Sequence, residues 1–246
     1  MTFLGIDIGG SGIKGALVDV DKGCLVGERL RLETPQPATP QAVSETVAEL
    51  VTQFDWQGPI GCGFPAVISN GVAKSAANID KSWIDIDVEQ LIRTATGCDC
   101  SVINDADAAG LAEMRFGAGR ERKGTVLVLT LGTGIGSALF YNGSLYPNSE
   151  LGHLWLKTGV AEKYASAAVR KKEDLGWKAW AKRLNTFFIQ VETLLSPELI
   201  IIGGGVSRKH DKFFPYLDLH AELLPAELRN QAGIVGSACR AAEIFA

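Results

Sequence analysis

The chain has 246 residues, 46% of them hydrophobic and 21% charged, which is enough apolar material for one large core or two smaller ones. Its formal net charge of −4 excludes a global basic field for nucleic acid, and no apolar run approaches the ~20 residues that a membrane span needs. Cys24, Cys62, Cys98, Cys100 and Cys239 make an odd set in a chain too long to need staples, so they read as reduced thiols in a cytoplasmic protein.

The sequence opens almost at once with a strand, and no signal peptide is expected. The first motif is Ile6-Asp7-Ile8-Gly9-Gly10-Ser11-Gly12-Ile13-Lys14-Gly15-Ala16-Leu17: an apolar run, a glycine-hydroxyl-glycine turn and a second apolar run. A turn at Asp21-Lys22-Gly23 follows, then a third strand from Cys24 to Glu33. Thr39 is a helix cap with Pro40 at the first helical position, and Val43, Val47, Leu50, Val51 and Phe54 follow at helical spacing. A short buried strand is expected at residues 60–64, stopped by Pro65, and a helix at 87–96, stopped by Gly97. Cys98-x-Cys100 has no second Cys pair or nearby His, so a strand-edge pair is preferred to half a metal site. Residues 101–103 form a strand that enters Asn104-Asp105-Ala106-Asp107 and an alanine-rich helix to about Phe116.

The second motif begins near Thr125, after a polar loop at residues 117–124. Leu129-Thr130-Leu131-Gly132-Thr133-Gly134-Ile135-Gly136-Ser137-Ala138-Leu139 repeats the first once an extra glycine is allowed there, and it too ends in a turn signal, Asn142-Gly143. Two helices are expected over 160–195, the second carrying Trp177, Trp180, Leu184, Phe187, Phe188, Val191 and Leu195. An apolar strand at 198–202 stops at Gly203-Gly204-Gly205, and a helix over 234–245 closes the chain. This alternation argues α/β. A joint near residue 105 divides it into residues 1–104 with 233–246, and residues 105–232.

Gly10-Ser11-Gly12-Ile13-Lys14-Gly15 matches the dinucleotide fingerprint literally, but that fingerprint needs a helix next, and β-rich residues follow. A hairpin is predicted instead, with Gly9, Gly10, Ser11 and Gly12 in one copy and Thr130, Gly132, Thr133 and Gly134 in the other offering N–H groups and hydroxyls to phosphate. Lys14 adds positive charge. Asp7, at the strand end, is a candidate to hold Mg²⁺ through water, with turn capping as the rival role.

These residues resemble the ROK family of sugar kinases. The resemblance rests on Gly5 to Gly15, Thr34-Pro35-Gln36-Pro37-Ala38-Thr39-Pro40, Ala76-Ala77-Asn78-Ile79-Asp80-Lys81-Ser82-Trp83, Asn104-Asp105-Ala106-Asp107-Ala108-Ala109-Gly110, Glu150-Leu151-Gly152-His153 and Gly203-Gly204-Gly205-Val206-Ser207-Arg208-Lys209, in that order. It implies a duplicated actin-like ATPase (ribonuclease H-like) fold, with two lobes around a central cleft that closes on a hexose. Within the family the chain is most similar to members that phosphorylate glucose on its 6-hydroxyl from inorganic polyphosphate, giving glucose 6-phosphate. ATP as a further donor, Mg²⁺ and a homodimer are also implied, with helix 177–195 as a candidate dimer face. An ATP-only hexokinase is the enzymatic alternative. A sugar-sensing regulator is the non-enzymatic one, and it needs a DNA-binding module ahead of the first strand. Many family members follow the Glu-x-Gly-His motif with cysteine zinc ligands. Here Leu154-Trp155-Leu156-Lys157 follows and no cysteine occurs until Cys239, so no zinc site is expected.

By the resemblance, Asp105 is the general base for the sugar hydroxyl, a role that a carboxylate at a strand-to-helix junction can fill. Helix capping is its rival role, and Asp107 is the competing acid. Asn78, Asn104, Glu150 and His153 supply donors and acceptors for the sugar, with Phe64 and Pro65 lining its pocket. Trp83 is equally a pocket wall or a core residue. Gly203, Gly204 and Gly205 mark the donor end, and Arg208 and Lys209 beside them read as phosphate contacts. Arg170-Lys171-Lys172 reads slightly better as a solvated helix face than as a polyanion track.

Overall fold

A computed structural model describes residues 1–77 and 79–246; Asn78, a sugar-site candidate, lies outside the described residues. The chain divides into two compact units, Met1–Ala112 with Gln231–Ala246, and Glu113–Asn230. The expected joint at residue 105 thus moves into a helix.

The first unit contains β1 (Thr2–Gly9), β2 (Gly12–Asp19), β3 (Cys24–Leu32), α1 (Pro40–Gln53), β4 (Ile60–Phe64), the minor pair β5 (Ile68–Ser69) and β6 (Val72–Ala73), α2 (Val88–Thr96), β7 (Cys100–Asn104) and most of α3 (Asp105–Phe116). Its sheet runs β3-β2-β1-β4-β7, with β1, β2 and β3 antiparallel in sequence and β1, β4 and β7 parallel. Leu4, Ile6 and Ile8 alternate along β1 and share a fully buried core with Val43, Val47 and Leu50 of α1. Thr39 caps α1 by accepting from the Ala42 N–H, and Gly97 ends α2 at φ 71°. Trp83 is fully buried and donates to the Ala38 carbonyl at 2.8 Å, so it belongs to the core.

The second unit contains β8 (Thr125–Leu131), β9 (Ile135–Tyr141), β10 (Ser144–Tyr146), the minor pair β11 (Trp155–Leu156) and β12 (Gly159–Val160), α4 (Ala161–Ala165), α5 (Ala167–Lys172), α6 (Trp177–Leu195), β13 (Leu199–Gly203) and β14 (Glu222–Pro225). Its sheet runs β10-β9-β8-β13-β14, again three antiparallel strands followed by two parallel additions. The two sheets therefore carry one topology twice, which is the duplicated ribonuclease H-like plan. Where two helices were expected over 160–195 there are three, because Ser166 ends α4 in an extended conformation and caps α5 by accepting from the Val169 N–H. Trp180, Leu184, Phe187 and Phe188 of α6 pack in the core with Leu127 and Leu129 of β8. The exposed apolar side chains of α6 are Ile189 and Leu194 rather than its tryptophans.

The last helix, α7 (Ala232–Phe245), returns to the first unit. It lies so close to the sheet that a Cβ at Gly5 would come within 2.0 Å of the Ile234 carbonyl oxygen, and one at Gly61 within 1.8 Å of that of Ser237. All five cysteines are free; Cys98 and Cys100 are buried, and the Cys100 Sγ lies 3.8 Å from that of Cys62.

Candidate active site

The first glycine loop is a two-residue connection, Gly10-Ser11, between β1 and β2, with Gly9 paired to Gly12 and Asp7 to Lys14. Its carbonyls are held from the following segment. Thr34 Oγ1 donates to Gly9, Gln36 Nε2 to Gly10 at 3.4 Å, and Arg31 Nη2 to Ser11 at 2.6 Å. A trans peptide sets its N–H opposite its carbonyl. The Gly10 and Ser11 N–H groups therefore face away from Thr34 and Gln36, as an anion-binding turn requires. This gives Thr34-Pro35-Gln36 a physical role, and it brings in Arg31, which sequence reasoning missed. Its signal was the cross-strand register that sets Arg31 opposite Lys14.

Asp7 and Lys14 form an ion pair, with Nζ 3.0 Å from Oδ2. The two residues assigned to metal and to phosphate thus hold each other. Among the described residues no group of three or more His, Cys, Asp or Glu is placed to hold a metal. A single carboxylate still fits Mg²⁺, which keeps several waters and takes other ligands from substrate phosphates.

At the β7–α3 junction, the Asn104 side-chain oxygen accepts from the Ala106 and Asp107 N–H groups at 2.9 and 3.1 Å, and its Nδ2 donates to the Ala66 carbonyl at 3.1 Å. Asn104 is therefore the helix cap, and both the oxygen and the nitrogen of its buried amide are engaged within the fold. Asp105 is half-buried, with Oδ1 accepting from the Ala106 N–H at 2.8 Å. Asp107 is buried on the next positions of α3. Phe64 was expected to line the sugar pocket, but it is fully buried with its ring centroid 4.6 Å from that of Trp83; it offers no surface to a ligand, and of the pair only Pro65 reaches solvent.

The second glycine loop, Gly132-Thr133-Gly134, connects β8 and β9 with three residues. The segment after β10 folds back onto β9. Ser137 Oγ donates to the Ser149 carbonyl and accepts from the Leu151 N–H at 3.0 Å. A Cβ at Gly152 would fall 2.0 Å from the Ile135 carbonyl oxygen, so only glycine allows this approach. The turn Leu151–His153 thereby sets His153 Nδ1 3.6 Å from Glu150 Oε2 and Nε2 3.9 Å from Glu162 Oε1. Glu162, 6% exposed on α4, was also missed by sequence reasoning; its one signal was an acid among apolar residues at a helix start. Partial burial raises the Glu150 pKa above its ordinary value of 4.5; the His153 charge opposes this and Glu162 adds to it.

A cavity of about 430 Å³ opens on the other flank of the loop, lined by Gly132, Thr133, Arg170, Lys171, Trp177, Gly205 and Lys209 among others. Gly204, at φ 79°, brings the Gly203-Gly204-Gly205 turn against β8; a Cβ there would lie 2.5 Å from the Leu131 carbonyl oxygen. Arg170 and Lys171 are thus not merely a solvated helix face. Lys209 joins them, while Arg208 lines a separate cavity with His210 and Arg229.

Two units of this topology, each opening on a glycine hairpin, define the actin-like ATPase class. The ROK family model matches residues 3–166, and the chain belongs to the ROK family. Over 235 residues it is 50% identical to the polyphosphate glucokinase of Mycobacterium tuberculosis, covering 95% of this chain and 89% of that one. Among solved structures, the inorganic polyphosphate/ATP-glucomannokinase from Arthrobacter sp. strain KM superposes with a TM-score of 0.95 at 51% identity, over 98% of each chain. A ROK family glucokinase from Streptomyces griseus in complex with glucose and AMPPNP gives a TM-score of 0.85 at 24% identity, covering 99% of this chain and 100% of that one, a likeness of fold.

Proposed function

We propose that this protein is a glucokinase that transfers a phosphoryl group from inorganic polyphosphate to the 6-hydroxyl of glucose. The observation that carries this reading is that the sugar motif and the donor turn hang from one hairpin: Gly152 rests on Ile135 at the start of β9, and Gly204 on Leu131 at the end of β8. Acceptor and donor groups therefore flank the Gly132-Thr133-Gly134 turn. The 50% identity to a polyphosphate glucokinase supports the choice of donor and acceptor. The likeness to a glucomannokinase that uses polyphosphate or ATP supports ATP as a second donor and mannose as a second acceptor.

In this reading Glu150, His153 and Glu162 hold sugar hydroxyls, with the carboxylates accepting and the imidazole ordering them. Asp105 takes the proton of the 6-hydroxyl as the oxygen–phosphorus bond forms and the bond to the leaving phosphate breaks. Asn104 positions Asp105 by capping α3. The N–H groups and hydroxyls of the two glycine turns hold phosphate oxygens, with Lys14, Arg31 and Lys209 adding charge. Asp7 would hold Mg²⁺ through water, and the ion would offset phosphate charge when bound. A cytoplasmic setting agrees with the five free thiols, and a homodimer through Ile189 and Leu194 of α6 agrees with their exposure.

The test supplies nucleotide-free polyphosphate, glucose and Mg²⁺ to the purified protein and follows glucose 6-phosphate. Its formation supports the reading. Its absence, with turnover on ATP, would replace the reading with an ATP-only hexokinase.

A further inference from the structure

The donor cavity carries three cations, Arg170, Lys171 and Lys209, and no carboxylate among its lining residues. Its one aromatic lining residue is Trp177. The Arg170 guanidinium carbon lies over that indole, 3.6 Å from its centroid. Phe213 lies nearly parallel to the same indole, at 14° and 6.1 Å, and Trp180 meets it edge-on at 6.0 Å. One face of the indole is therefore covered by Arg170.

The backbone fixes Arg170 in this place. Its N–H donates to the Ser166 carbonyl at 3.1 Å, and its own carbonyl accepts from the Leu175 N–H at 2.9 Å, closing the α5–α6 connection that delivers Trp177. The α5 start is tied to the glycine loop, because the Ala168 N–H donates to the Gly132 carbonyl at 3.0 Å. Arg170 Nε is buried and, among the described residues, has no hydrogen-bond acceptor. A stacked guanidinium keeps its in-plane N–H groups for an acceptor, and phosphate oxygens match that fork.

We propose that Arg170, held over Trp177, selects the phosphoryl donor: it occupies an indole face on which a nucleobase would stack and offers N–H groups to the non-transferred phosphates of a polyphosphate chain. This rests on the reading of the protein as a kinase and deepens it by naming the residue that sets donor class. An uncharged purine must displace the guanidinium to reach the indole. A polyphosphate brings negative charge at every unit and meets Arg170, Lys171 and Lys209 in turn.

The experiment measures kcat and KM for polyphosphate and for ATP, at saturating glucose and Mg²⁺, in wild type, Arg170→Ala and Arg170→Lys. The expected result for Arg170→Ala is a fall of about tenfold or more in the polyphosphate-to-ATP ratio of kcat/KM, carried mainly by the polyphosphate KM. Arg170→Lys keeps the charge but not the planar fork, and its ratio falls between the two. Titration of tryptophan emission with polyphosphate checks binding directly and weakens in parallel. A ratio unchanged in both variants, or equal losses on both donors, would overturn the proposal while leaving the kinase reading intact. A wild type that turns over ATP but not polyphosphate would overturn both this proposal and the choice of polyphosphate as donor.

Discussion

The two glycine hairpins share a topology and differ in where their charge sits. In the first, a two-residue loop is backed by the Asp7–Lys14 ion pair and by Arg31, all on β1 to β3. In the second, the three-residue loop has only Thr130 and Thr133 as polar side chains on the hairpin near it, and its cations come from α5 and from the turn after β13. A hairpin that carries its own charge has a fixed local field. One that borrows charge from a helix and a distant turn can change its field without altering its loop. The duplicated fold thus supplies two equivalent turns, and in the proposed function the surrounding segments would make one a phosphate clamp and the other a donor-reading cavity.

The largest expected effect lies outside both hairpins. Replacing Asp105 with Asn should lower kcat by about 10³-fold, within the usual range for losing a general base, while glucose binding by calorimetry and the thermal midpoint stay close to wild type. Turnover within about tenfold of wild type would remove Asp105 from that role. Next, Glu150→Gln should raise the glucose KM by about tenfold with a smaller change in kcat. The same residue gives a pH signature. Its raised folded pKa means that it still binds a proton where an unfolded chain has released one, so this group's contribution to stability declines as pH rises through that pKa. In the proposed function sugar binding follows the opposite sign, because the ionised carboxylate would accept the hydroxyl. The glucose KM should rise on acidification, beginning above the ordinary Glu range, and Glu150→Gln should flatten that limb.

The order and type of most elements were legible because local signals agreed. Thr39-Pro40 announced α1, Gly97 closed α2, and both hairpins were recognised as hairpins from β-rich residues after the glycines. The β7–α3 junction was legible only in part. A capping role was weighed for Asp105, but Asn104 takes it, and the difference depends on which side chain turns back toward the first helical N–H groups. Phe64 was misplaced because β4 is buried on both faces, which a five-residue apolar run does not distinguish from a pocket wall. Arg31 and Glu162 escaped because each acts through a partner far along the chain or through tertiary burial. Arg170 and Lys171 read as solvated helix because no periodic pattern reveals that Gly132 and Gly205 lie across from them.

A further set of changes sharpens the contrast between the hairpins. Lys14→Met leaves Asp7 without its partner and should raise the polyphosphate KM by about tenfold, and Asp7→Asn in the same chain should lower turnover further, because Asp7 is the proposed holder of Mg²⁺. Lys209→Met should raise the polyphosphate KM, and its effect should simply add to that of Lys14→Met. The smallest effects separate packing from function. Gly152→Ala should cost about 1–3 kcal/mol of unfolding free energy, because its Cβ would strike the Ile135 carbonyl. Gly132→Ala meets nothing within 4 Å and should change stability by less than about 0.5 kcal/mol in denaturant melts.

The central claim is that the donor is read by charge on the second unit, and the most direct measurement is the polyphosphate KM against ionic strength, with the glucose KM as its internal reference. Raising salt from about 0.05 to 0.3 M shortens the screening length roughly twofold, from about 14 to about 6 Å, which is enough to weaken exposed Lys171 and Lys209 contacts. The account predicts a polyphosphate KM that rises severalfold while the glucose KM stays constant. A polyphosphate KM that does not respond to salt would contradict it.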